Sequence, residues 1–161
     1  MEKTLDLRKE ISSSFIKHSK FAEGQFTQLA GAIPQEKFLW RPEEGARSVA
    51  EAFLHAALGN YLILGTLGGQ LPDGVDLQTL EKSTTDKKQI VEELGRSFEL
   101  VNKCIADTPE SEYGTQVDFF GTKSTKMDMI FSAATHHWES LGQTIAYSRM
   151  NRVTPPWSVK P

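Results

Sequence analysis

Cysteine is almost absent from this chain, Cys104 being the only one. That excludes an internal disulfide and a cysteine-rich zinc site, and it fits a reducing cytoplasm. No block of five or more like charges occurs, so acidic or basic tails are not expected. With 18 Lys and Arg against 21 Asp and Glu, the formal net charge is -3. A nucleic-acid footprint needs a basic face, and none is visible, so no nucleic-acid partner is expected. No stretch approaches 18 consecutive apolar residues, and the opening "MEKTLDLRKEISSSF" lacks the apolar core of a signal peptide. A soluble cytoplasmic protein without a membrane partner is the expectation. Strand-like alternation is nearly missing too, and neither an internal repeat nor a low-complexity segment is found.

What is present is helical periodicity. At 161 residues the chain has a natural single-domain length, and one domain over 1–161 is expected. Leu7, Ile11, Phe15, Ala22, Phe26 and Leu29 step by threes and fours, which predicts a helix over about 5–30. "GAIPQEKFLWRPEEGARS" follows as a loop with a brief turn near Gln35–Phe38. Ser48 with Glu51 three residues on reads as a capping box, opening a second helix over about 48–67 that is apolar on most sides. A third helix over about 86–106 carries Leu94, Phe98, Val101 and Ile105 as a seam, and a fourth spans about 125–151. In "DTPESEYGTQVDFFGTKST" between them, "VDFF" reads as a short extended piece. Four long helices with apolar seams predict an all-α four-helix bundle, and the long connections leave room for crossovers.

Polar residues on apolar faces mark candidate sites, because a buried polar group needs a partner. In the fourth helix, His137 falls on a stripe with Ile130, Ala134, Leu141 and Ile145 and reads as a core or interface histidine. His136 points about 100° away and heads a column with Ser140, Gln143 and Tyr147. That column fits either a site or a buried hydrogen-bond ladder. His55 lies among Phe53, Leu54, Ala56 and Leu58 of the second helix. A histidine on each of two facing helices is how bundles build metal sites, but two are too few where zinc or nickel takes three or four ligands. His18, between Phe15 and Ala22, reads as structural, and Cys104 as a small side chain rather than a nucleophile.

"WRPEEGARSVAEAFLHAALGNY" and, some 80 residues later, "HHWESLGQTIAYSRMNRVTPPWS" resemble the DinB/YfiT-like superfamily in order and spacing. The resemblance covers essentially the whole chain. It implies a four-helix bundle with a long crossover, often a homodimer, in which many members hold nickel or zinc on three histidines. Carried over, His55 and His136 are two of those ligands, while the third position holds Ser140. Neutral serine is a poor ligand for these metals. Glu139 or a water held by Ser140 could stand in, giving a bound Ni2+ or Zn2+. Otherwise the site is degenerate and no metal is held. Relatives include thiol-dependent transferases, so the resemblance implies a metal-activated thiol as one chemistry. Gln143, Tyr147, Asn60, Tyr61 and Arg149 are the pocket-lining candidates, with a surface role for Arg149 and a C-cap for Asn151 as the plainer alternatives. Two other classes stay open: a non-catalytic bundle that binds a small apolar or anionic molecule, and a structural dimer using apolar surplus on the second and fourth helices. Trp157, after "TPP", is expected to pack the tail onto the bundle or a partner chain.

Overall fold

The computed structural model describes residues 7–159. Its helices are α1 (Leu7–Ala32), α2 (Val49–Thr66), α3 (Lys87–Asp107) and α4 (Lys126–Met150), joined by loops with short 3-10 turns. Before α4, β1 (Gln116–Phe119) and β2 (Thr122–Thr125) form an antiparallel hairpin, the only sheet among the described residues. The helical bundle is as expected, with the "VDFF" segment extended, but its pairing strand was not foreseen. Phe120 and Gly121 both take positive φ (52° and 78°), the two-residue turn whose twist matches a hairpin. Asp118 Oδ1 accepts from Gly121 N at 3.0 Å and closes it.

The helices start where capping chemistry puts them. Ser48 Oγ accepts from Glu51 N, and Glu51 Oε2 accepts in return from Ser48 N at 2.7 Å. Asp86 caps α3 by accepting from Gln89 N, and Thr125 with Asp128 makes a second box at α4.

Helices α1 and α2 each pack against both α3 and α4. Lys87, opening α3, donates to the carbonyls of Gly31 and Ile33 at 3.2 and 2.9 Å, so α1 and α3 run antiparallel. Asn60 bonds Ser97, and Leu67 further on packs with Val101 and Ile105, so α2 and α3 run parallel. A parallel neighbour cannot be reached by a tight turn, so residues 67–86 return along the bundle as a crossover.

The interior falls into two apolar clusters. One gathers Phe26, Phe38, Phe53, Leu54, Tyr61, Leu94 and Phe98, and the other Phe15, Ile63, Val101, Ile105, Met129 and Ile130. Most apolar side chains of α2 are buried in this core, with Leu58 and Leu62 partly exposed. His18 is exposed rather than part of the buried stripe, which runs through Phe15, Ser19 and Ala22 instead. Cys104 is half-buried and burial pushes its thiol up, which leaves it a weak nucleophile. In the tail Pro155 is buried, whereas Trp157 keeps 37% of its surface exposed. No described helix is long and apolar enough to cross a membrane.

Candidate functional site

The antiparallel crossing of α2 and α4 brings His55 and His136 together. Their Nε2 atoms stand 3.3 Å apart, with ring centroids at 5.0 Å and planes at 61°. Ser140 Oγ lies 3.4 Å from the same His136 Nε2. Three of the sequence candidates therefore meet at one point.

Two further residues complete the arrangement, and neither was legible in the sequence. Glu81, in the α2–α3 crossover, accepts from His55 Nδ1 at 2.7 Å and is itself held by Arg47 at 2.9 and 3.2 Å. Burial alone would raise the Glu81 pKa, but bonds from Arg47 and His55 and their charges bring it below the usual carboxylate value. With its proton on Nδ1, His55 turns the lone pair of Nε2 toward His136. Gly59 is the second. A Cβ there would fall 2.1 Å from His136 Cε1, so only glycine leaves room for the ring. Burial first, then the nearby His55, lower the pKa of His136, and the ring is neutral. Its Nδ1 is buried with no protein partner among the described residues.

The other candidates are dispersed. Asn60 and Tyr61 turn elsewhere, Asn60 to His137 and Ser97 and Tyr61 to Glu93. Glu139 and Arg149 are exposed, and Asn151 ends α4 by donating from Nδ2 to Tyr147 O at 3.0 Å. Gln143 donates to the Tyr147 hydroxyl at 3.3 Å, and the Tyr147 ring meets Trp40 edge-on at 5.6 Å. These two line a groove of about 590 Å³ together with Arg41, Arg47, Glu51 and Glu81. The groove thus shares Glu81 with the histidine pair.

This donor set does not fit a three-ligand metal centre. It offers two imidazole nitrogens and a neutral hydroxyl, where nickel or zinc takes at least three strong ligands. Glu81 lies on the far side of the His55 ring, at Nδ1, and cannot join Nε2 on one ion. Among the described residues, no group of three His, Cys, Asp or Glu is placed to hold a metal. What the site can do is accept and share protons between imidazoles and hold a polar group beside two guanidiniums.

Comparison with known proteins gives the same architecture. A DinB-like protein from Bacillus cereus is 15% identical and superposes with a TM-score of 0.77 over 92% of this chain and 97% of its own. A DinB-like protein from Bacillus subtilis, 18% identical, does so at 0.68 over 88% and 93%. At these identities the likeness is one of fold. No curated protein matches the chain. The family model of the DinB superfamily matches residues 20–144, well over half of the sequence. The chain belongs to the DinB superfamily.

Proposed function

We propose that this DinB-superfamily chain acts as one domain whose α2–α4 seam holds a degenerate metal centre reduced to two histidines, and that it works by binding a small polar or anionic molecule in the adjoining groove. The observation that carries this reading is Ser140, whose hydroxyl stands 3.4 Å from His136 Nε2 at the place of a third ligand. In the groove Arg41 bonds Glu51 and Arg47 bonds Glu81, and the remaining N–H donors of each guanidinium suit a carboxylate or phosphate, while His55, oriented by Glu81, is suited to accept a proton. No step through a metal is assigned.

The test compares metal content and affinity in three proteins. The native chain is expected to purify without stoichiometric nickel or zinc. Ser140→His, which restores a third imidazole, should raise affinity for either ion by at least tenfold in calorimetric titration, and His55→Ala should abolish the gain. One tightly held ion per native chain, lost in His55→Ala, would overturn the reading and make thiol-transferase chemistry the first activity to screen.

A separate observation favours a homodimer. Phe21, Phe131 and Trp138 are exposed to 58%, 56% and 41%, with Phe21 and Trp138 in ring contact at 6.1 Å. On α4 the small residues Thr135, Gly142 and Ala146 are exposed near them, with Asp128, Glu139 and Arg149 as charged outward neighbours. An exposed aromatic cluster ringed by small and charged residues suits a two-fold contact with a second copy. Trp138→Glu is expected to leave a monomer in light scattering where the native chain is a dimer.

A further inference from the structure

Between the two apolar clusters lies a layer of buried polar side chains that the histidine centre does not use. His137 is 1% exposed, Ser97 0%, Asn60 1%, Ser19 2% and Asn102 7%. They come from all four helices, since Ser19 is on α1, Asn60 on α2, Ser97 and Asn102 on α3, and His137 on α4.

Part of the layer has a fixed direction. Ser97 Oγ donates to the Leu94 carbonyl at 2.7 Å, so it accepts from Asn60 Nδ2 at 3.0 Å. Asn60 Oδ1 then faces His137 Nε2 at 2.6 Å, and that nitrogen must be the donor. The His137 ring is thus the Nε2–H tautomer, and its Nδ1 is left as a bare acceptor. Burial holds the ring neutral, with its pKa lowered to about 3.

Of the four buried polar atoms that lack a protein partner among the described residues, His136 Nδ1 belongs to the histidine centre and three to this layer: His137 Nδ1, Ser19 Oγ and Asn102 Oδ1. They belong to one level of the bundle. The His137 ring touches Phe15 of α1 and Phe98 of α3, with centroids at 5.9 and 4.6 Å. Lys87 meets Gly31 and Ile33 and Phe98 meets Phe26, and this antiparallel register of α1 and α3 sets Asn102 near the height of Ser19. Asn102 lines the α1–α3 groove with Ile16 and Lys20, the residues that bracket Ser19 by one turn. Leaving such atoms unsatisfied is costly, since each has given up its hydrogen bonds to water on burial.

We propose that the centre of the bundle is a binding site for one buried water molecule, held by Ser19, Asn102 and His137. The hydrogen count closes. The water donates to His137 Nδ1 and to Asn102 Oδ1 and accepts the Ser19 hydroxyl hydrogen, three bonds being the usual number for an internal water. It joins α1 to a chain already running from α4 through α2 to α3. A polar layer that is satisfied in one register only pins the rotation of each helix, α4 included, and so holds neighbouring His136 against Gly59.

A high-resolution crystal structure of the native chain is the test. One ordered water within hydrogen-bonding distance of all three atoms is expected. Ser19 Oγ turned instead to a helix carbonyl, with no density between the three side chains, would overturn the proposal. Solution data add a second measure from Ser19→Ala, Asn102→Leu and their double variant. If both side chains hold the same water, the double variant's loss in unfolding midpoint should be clearly smaller than the two single losses added. Strict additivity would count against a shared water, and the native crystal decides alone if either variant fails to fold.

Discussion

His136 depends on a residue with no side chain at all. Gly59 lets the imidazole lie against the α2 backbone, and nothing in the spacing of α2 marks this glycine as different from Gly65 further along. Gly59→Ala is expected to drive the ring out of its seat, at about 1–3 kcal/mol of stability from overpacking. Urea unfolding would measure the loss, and the histidine NMR resonances would show His136 parting from His55. His55 and His136 were legible as candidates because one breaks an apolar stripe and the other heads a polar column, whereas their grouping with Ser140 was implied by the resemblance to the DinB/YfiT-like superfamily. Glu81 was not, since it comes from a loop 26 residues away and carries no periodicity. Asn60 was placed beside the site but joins the internal layer, because one helix position further on turns a side chain by about 100°.

At the level of single elements, the cap residues carry the clearest forecast. Ser48 both accepts from Glu51 N and is bonded back by its carboxylate, and it is buried. Ser48→Ala should cost about 1 kcal/mol, or some 2–4 °C in melting midpoint for a chain of this size. Calorimetry would register it. Helix starts were readable for the same reason, since Ser48, Asp86 and Thr125 are side chains that satisfy backbone N–H groups locally. The α1 C-terminus runs to Ala32, beyond where the apolar steps stop, because Lys87 of another helix covers its last carbonyls. The strand Thr122–Thr125 carries polar residues only and pairs through its backbone, which leaves no alternation to detect.

For the molecule as a whole, the polar layer makes stability depend on pH. His137 titrates near 6.5 when unfolded and at about 3 when folded, because burial disfavours its charged form. Its contribution is fully present above about pH 6.5 and is lost as pH falls toward 3, since there the unfolded chain binds the extra proton. The slope from this group is at most about 1.4 kcal/mol per pH unit. Urea midpoints measured across that range should fall, and His137→Gln, which keeps a donor for Asn60 without a titrating ring, should flatten the curve.

The parallel setting of α2 and α3 obliges residues 67–86 to travel back along the bundle, and on the way they deliver Glu81 to His55. The orientation of one histidine is therefore written in a connection outside the four helices, which Leu80, buried beside Glu81, anchors to the interior. Replacing Glu81 would retune the histidine pair while leaving all four helices as they are. The scaffold and the tuning of its centre are thereby free to diverge at different rates.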